Sequence, residues 1–361
     1  MKKIGILTIN DNNNYGNRLQ NYAVQQILKK MNTTPYTIIN TTSFLFENEN
    51  YIIKTLKKIK RNIIRQKATF YRKKYFRQFN KNIVFYKKKI SEKKIPTNLD
   101  SKFDYFVVGS DQVWNPNFNR LSSIDFASFA NNKKKISFSA SIGINNIPNN
   151  YKELFKTNIP NFKNLSVREE EAKKILAEYA NKQKIEVLID PTMLLRSNEW
   201  EKKSKKPKQY KKLKNKKYIL NYFLGEISEK NKRTIETFAR KNNCEIINIL
   251  DKKDPFYKTG PSEFLFLEKN AFLICTDSFH SSVFSILFNR PFIIFNRNDS
   301  FSSMSSRIDT LLSKFKLEDR RFNGNEITKE NLKHDYTEAY KILEKERKKS
   351  EDFLKKALEI E

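Results

Sequence analysis

The sequence predicts an α/β protein with parallel sheets, arranged as two Rossmann-like domains. Three observations carry this reading. Short apolar runs of strand length alternate with stretches of helical period. The alternation occurs in two series, divided by a lysine-rich stretch that contains Pro207. A chain of 361 residues is long for one ordinary domain and comfortable for two.

The first series has strands expected at 4–9, 36–39, 103–108, 135–139, 165–167 and 185–189, each a short run enriched in β-branched or aromatic residues. Residues 17–31 read as a helix, with Leu19, Ala23, Val24, Ile27 and Leu28 on one face. In the second series, strands at 218–223, 244–250, 271–275 and 292–295 are separated by helices at 229–241, 262–269 and 278–288. Strands that alternate with helices pair in parallel. The expected domains are 1–200 and 218–328, with a linker at 201–217 and a charged C-terminal helix within 329–361. No repeat of solenoid period is present.

Hydrophobic residues make up 38% of the chain and aromatic residues 13%, enough for real cores, so global disorder is excluded. The net charge of +31 is concentrated. Residues 51–94 carry +16 and residues 201–217 carry +9, which leaves +6 for the rest. Within 51–80, Ile52, Ile53, Leu56, Ile59, Ile63 and Ile64 recur at helical spacing among Lys and Arg. That pattern reads as a surface helix with a solvated basic face, or as an element drawn to anionic lipid. Specific nucleic-acid binding lacks a supporting motif. The two cysteines, Cys244 and Cys275, have no metal-ligand spacing and read as free thiols of a reducing compartment. The first ten residues read as a strand rather than a signal peptide, and no apolar run is long enough to span a membrane. The expected location is the cytoplasm, with a peripheral contact on the inner face of the membrane as a further expectation. No cofactor or metal is expected.

In open parallel sheets, ligands lie beyond the carboxyl ends of the strands, so the polar segments that follow strands are the places to search. After the first strand comes "NDNNNYGNRLQNYA". There Asn14, Tyr15, Gly16 and Asn17 are candidate ligand contacts, against plain loop packing, with Gly16 expected at a tight turn and Asn17 as a helix cap. After the third strand, "GSDQVWNP" offers Gly109 for close backbone approach, and Ser110, Asp111 and Gln112 as polar groups. Asp111 reads as a base or an orienter of a hydroxyl, against a plain capping role. Trp114 reads as core rather than as a sugar-stacking face. Arg168 stands where the fifth strand meets a helix. It is placed either to fork onto a carboxylate or phosphate or to pair with its neighbours Glu169–Glu171. Finally "CTDSFHSSVF" puts Asp277 and Ser278 at a helix start and His280 in its first turn. Free N–H groups around Phe279 and Ser281 make that end an anion site. His280 there suits general acid–base work, against a purely structural role. The only other histidine, His334, reads as solvated on the terminal helix.

The segments "NYGNRLQNYAVQ", "YFVVGSDQVWNP", "SVREE", "VLIDPTMLL" and "CTDSFHSSVFSILFNRPF" resemble, in order and spacing, the motifs of the polysaccharide pyruvyl transferase family, over residues 1 to about 320. The resemblance implies a GT-B-like fold with two Rossmann-like domains facing a cleft. It implies transfer of a pyruvyl group from phosphoenolpyruvate to a sugar of a surface or capsular polysaccharide, or to its lipid-linked precursor, as a cyclic ketal. It also implies that His280 is the acid and that arginines, Arg168 among them, hold the donor with Asp277–Ser281. Some family members carry Arg where this chain has Ser278, and a Gly where it has Ser281. Arg307, Arg297, Arg290 and Arg18 are the candidates to replace the missing arginine. Two other readings stand beside this one: a GT-B glycosyltransferase that uses a nucleotide sugar, and a non-enzymatic binder of anionic polymer.

Overall fold

A computed structural model describes residues 1–42, 63–118, 120–297 and 306–361; the side chains of 63–67 are also left aside. Ten strands form, one at each expected position: β1 Lys3–Leu7, β2 Thr34–Ile38, β3 Tyr105–Val108, β4 Lys135–Ser137, β5 Leu165–Val167, β6 Ile185–Val187, β7 Tyr218–Tyr222, β8 Glu245–Asn248, β9 Leu273–Thr276 and β10 Phe292–Ile294. Every ladder between them is parallel. The first sheet has the order β2-β1-β3-β4, and β5-β6 continues it through isolated bridges from Ile136 to Asn164 and from Ala140 to Val167. The second sheet has the order β10-β9-β7-β8.

In both sheets the strand order reverses beside the first strand. In the first lobe the switch lies between β1 and β3, where Leu7 pairs with Val108; in the second it lies between β7 and β9, where Tyr222 pairs with Thr276. Such switch points open a crevice at the carboxyl edge. Strands buried on both faces read as continuous apolar runs, as β3 does with four buried residues.

The helices are α1 Tyr15–Lys30, α2 Ile63–Asn80, α3 Asn149–Asn158, α4 Glu170–Ala177, α5 Ser197–Glu201, α6 Glu229–Lys241, α7 Pro261–Asn270, α8 Phe279–Leu287, α9 Ser306–Phe315 and α10 Thr337–Leu358. Helix α1 starts two residues earlier than expected. Its cap is Asn14, whose side chain accepts the Asn17 N–H, so Asn17 is inside the helix and Gly16 is in its first turn rather than at a tight turn. It is also buried on nearly every side, polar residues included, because it lies between the lobes. Its buried amides find partners: Gln20 donates to Thr8 Oγ1 and Gln25 to Thr37 Oγ1, each at 2.8 Å.

The terminal helix is shorter than expected, with residues 329–332 in a single 3-10 turn. His334 therefore precedes α10. Its ring nitrogens lie 2.9 Å from the Leu332 carbonyl and 3.2 Å from that of Asn289, so it is half-buried and partnered rather than simply solvated. Trp114 is core, stacked on Phe126 with its N–H donated to the Asp125 carbonyl. Cys275 is buried and Cys244 half-buried, both as free thiols. Among the described residues no helix is long and apolar enough to cross a membrane.

Candidate active site

A cavity of about 910 Å³ opens between the carboxyl edges of the two sheets. Its first-lobe wall is the loop after β1 (Thr8–Asn14), with Asn17, Asp111, Gln112, Phe118 and Arg120. Its second-lobe wall is Leu224, Ser278, Phe279 and His280. Arg297 and Arg307 also line it, as do Thr69, Lys73, Arg77 and Asn80 of α2.

His280 sits in the first turn of α8, whose N-cap residue Ser278 makes no side-chain cap. The first N–H groups of that helix therefore keep their capacity to bind an anion. The imidazole is nearly buried, and among the described residues its Nε2 has no hydrogen-bond partner. Asp190 Oδ2 is 3.8 Å from that nitrogen. Gly16 is the ring's other neighbour. A β-carbon built there would overlap the imidazole, 2.8 Å from Cε1 and closer still to Nδ1 and Cγ. Gly16 thus lets the start of α1 lie flat against the ring of His280. Burial, and then the positive charges of Arg168 and Arg307, push the histidine below its ordinary value, although Asp190 and Asp111 oppose them.

Arg168 leaves the end of β5 as expected, but it does not reach the cavity wall. Its Nη1 binds Asp190 Oδ2 at 2.5 Å, its Nη2 is 3.5 Å from Asp111 Oδ1, and its guanidinium lies 4.3 Å from the centre of the Phe279 ring. None of the adjacent glutamates is its ion-pair partner. Glu169 turns away to accept from Ser141 Oγ and from the N–H groups of Ile142 and Gly143. Asp190 is fixed from behind, since the Thr192 N–H and hydroxyl bind its Oδ1 at 2.9 and 2.6 Å. Ser110 Oγ adds a bond to Oδ2 at 3.1 Å. Burial alone would raise both carboxyls. Arg168, then His280 and the two Thr192 bonds, together more than offset it at Asp190, and at Asp111 His280, Arg168 and Arg307 together hold the acid well below the usual range.

Asp111 therefore faces the cavity as a carboxylate. It has a φ of +67°, and Asn17 Nδ2 donates to its Oδ2 at 3.2 Å. Gly109 before it has a φ of +117°, which favours glycine. Arg307 is buried with its Nε unpartnered among the described residues, and burial followed by repulsion from Arg168 lowers it to about 10. A cation held at that cost, facing a cavity, is a ready anion ligand.

The expected site residues thus divide. Asn14, Asn17, Asp111, Gln112, Ser278, Phe279, His280 and Arg307 line the cavity. Tyr15, Gly16, Gly109, Ser110, Arg168, Asp277 and Ser281 stand behind it. Tyr15 is buried between the lobes, stacked on Phe264 and Phe76, with its hydroxyl bound to Thr259 and Arg72. Asp277 accepts the N–H groups of Leu224 and Gly225 at 2.7 and 2.8 Å and pairs with Arg297 at 3.1 Å, so it shapes the loop after β7. Ser281 donates to the buried Glu268 at 2.6 Å. Of the candidates for the missing arginine, Arg307 and Arg297 reach the cavity. Arg18 and Arg290 do not.

Sequence reasoning missed Asp190, Arg120 and the inward turn of α2. Residues 51–62 of the basic stretch expected to face solvent or lipid lie outside the described residues. In the described part, Lys73 and Arg77 face the cavity. Phe118, exposed at its wall, offers the apolar face that Trp114 does not. Among the described residues no cluster of His, Cys, Asp and Glu is arranged to hold a metal ion.

Comparison with known proteins agrees with this fold. The Listeria monocytogenes structure assigned as a UDP-N-acetylglucosamine 2-epimerase aligns over 98% of this chain and 91% of its own, with a TM-score of 0.53 and 12% identity. The UDP-GlcNAc 2-epimerase of Neisseria meningitidis, solved with UDP-GlcNAc bound, aligns over 100% and 95%, with a TM-score of 0.46 and 14% identity. At 12% identity the Listeria alignment speaks to fold alone. A comparison with curated protein sequences gave no match. The family model for polysaccharide pyruvyl transferases matches residues 14–300. Two parallel-sheet lobes with a polar cleft at their switch points define an enzyme of GT-B fold. Within that class, the chain belongs to the polysaccharide pyruvyl transferase family and is a transferase.

Proposed function

We propose that the protein transfers the pyruvyl group of phosphoenolpyruvate to two hydroxyls of a sugar, forming a cyclic ketal. The observation that supports this most directly is the His280 imidazole. It stands on the cavity wall with a partnerless Nε2, at an uncapped helix start and beside the underpaired cation Arg307. An acid next to anion-binding groups is what an enol phosphate requires. In this reading His280 gives its proton to the methylene carbon of the donor, and positive charge develops at the central carbon. A sugar hydroxyl adds there, the bond to the phosphate oxygen breaks, and the second hydroxyl closes the ring. Of the two hydroxyl protons, one replaces the proton spent by His280 and the other leaves with the phosphate. Arg307, Arg297 and the start of α8 would hold the donor and stabilise the departing phosphate. Asp111, already ionised, would orient or deprotonate the hydroxyl. Arg168 acts through Asp190 and Asp111 as a positioning residue. The donor side is then the second lobe and the acceptor side the first.

The test is release of phosphate from phosphoenolpyruvate in the presence of an acceptor panel, beside a nucleotide-sugar panel. General acid catalysis contributes about 10²–10⁴ in rate, so His280→Ala should lose that much while its melting temperature stays close to wild type. Near-normal turnover by that variant would remove His280 from the chemistry. Turnover with a nucleotide sugar but not with phosphoenolpyruvate would replace the reading with glycosyl transfer.

A further inference from the structure

Besides Arg297 and Arg307, the cavity is lined by three cations from other elements, Lys73, Arg77 and Arg120. Thr69, Lys73, Arg77 and Asn80 are spaced four, four and three residues apart, so they form one stripe along α2, and all four line the cavity. The adjacent stripe, Ala68, Arg72, Phe76 and Phe79, is buried and fixes the helix in place. Arg72 binds Asn13 Oδ1 at 2.7 Å and the Asn13 carbonyl at 2.9 Å, and Asn80 donates to Asn12 at 2.7 Å, so α2 is clamped to the loop after β1. Lys73 and Arg77 are exposed, and among the described residues neither has an ion-pair partner. Like charges at i and i+4 destabilise a helix, so this pair does nothing to hold α2 in place.

Arg120 joins them from the β3 side. Its Nε and Nη2 are shielded from solvent and have no hydrogen-bond partner among the described residues. Burial pulls its pKa down, and the carboxylates that support it, Asp125, Asp111 and Asp11, are none of them in ion-pair contact with it. Asp125 is itself occupied by Ser122 and Asn40. The charges felt most by Arg307 are Arg168, Glu169, Asp111 and Arg297. Asp111 thus acts on both Arg120 and Arg307, while Lys73 and Arg77 line the same cavity from α2.

We propose that Lys73 and Arg77, with Arg120, form a second anion subsite, and that the acceptor sugar carries a negative group of its own, phosphoryl or carboxylate, which this subsite selects. In calling its ligand the acceptor we rely on the pyruvyl-transfer reading above. About 910 Å³ is at the upper end for a single small-ligand pocket and leaves room for donor and sugar together. Charge-assisted bonds to Arg and Lys suit either anionic group.

The probes are glucose 1-phosphate, glucuronate and methyl glucoside, each titrated by thermal shift against protein saturated with phosphoenolpyruvate. One of the two anionic sugars should add stabilisation that methyl glucoside does not, and which one does so identifies the group. Lys73→Ala/Arg77→Ala should weaken that binding at least tenfold, leave the shift caused by phosphoenolpyruvate alone unchanged, and be rescued by Lys73→Arg/Arg77→Lys. Equal effects of all three sugars, or no effect of the double variant, would overturn the subsite. A missing response to phosphoenolpyruvate, with the anionic-sugar response still dependent on Lys73 and Arg77, would sink the donor assignment and leave the subsite standing.

Discussion

His280 constrains the residues around it. Gly16 has no space for a β-carbon because the imidazole lies against it. Gly16→Ala would gain about 1 kcal/mol of helix propensity yet drive the ring from its place. Misplacing a reacting group by about 1 Å can cost roughly 100-fold in rate. We therefore expect a protein that melts near wild type but turns over roughly 100-fold more slowly; unchanged kcat would show that the ring position does not matter. The same packing sets the pH behaviour. In the free protein burial, helped by Arg168 and Arg307, holds His280 below 6.5, so the acid form is scarce near neutrality. A donor phosphate and carboxylate beside it would raise that value. The kcat/KM profile reports the free enzyme and should fall as pH rises through a pKa below 6.5, whereas kcat, which reports the complex, should fall at higher pH. Coincident limbs would mean that the donor does not sit against His280.

The ends of β5 and β6 form a clamp. Parallel pairing sets Val167 beside Val187, so the residues that follow, Arg168 and Asp190, emerge together and meet at 2.5 Å. Arg168→Ala would leave buried Asp190 without its main cation and Asp111 without one of its three. Breaking a buried pair from one side costs about 3–5 kcal/mol. Both carboxyls are depressed in the folded protein, so the stability they contribute is present above the ordinary carboxylate range and is lost as pH falls through their folded values. Urea unfolding should show the variant weakened most near neutral pH, with the gap closing toward acid; a variant as stable as wild type would show the clamp to be dispensable. This element also shows what the sequence could reveal. Most of the ten strand-length runs, β8 at an exposed sheet edge excepted, were readable because burial on both faces leaves a local signature. Arg168 at a strand end and His280 at a helix start were readable for the same reason. Asp190 as the partner of Arg168 was not, because the glutamates next to Arg168 in sequence look like better partners and only the sheet register brings residue 190 close. The helical period of α2 was visible, but which of its stripes met the cavity depended on Arg72 and Asn80 finding the loop at Asn12 and Asn13.

Across the whole molecule, the two lobes share one core. A single hydrophobic cluster contains Ile4, Ile6 and Val107 of the first sheet and Leu220, Ile274 and Ile294 of the second. Tyr15 stacks between Phe76 and Phe264 at the junction, and Trp200 packs on both Tyr22 and Phe284. Helix α10 closes the far side: Arg347 donates to the Met193 and Leu195 carbonyls, Lys314 of α9 pairs with Glu346, and Lys2 binds the carbonyls of Leu358 and Glu359. Interfaces that are apolar and extensive suppress relative domain motion. His280, Asp111 and Asp190 come from different lobes and segments, so their geometry depends on this junction staying shut before any ligand arrives. Two results should follow. Single-tryptophan proteins retaining Trp114, in the first-lobe core, or Trp200, at the junction, should report one coincident unfolding transition. Saturating phosphoenolpyruvate should raise its midpoint without changing the radius of gyration in solution scattering. Separate transitions for the two probes, or a measurable contraction on adding phosphoenolpyruvate, would mean that His280, Asp111 and Asp190 are brought together by closure rather than held in place by the shared core.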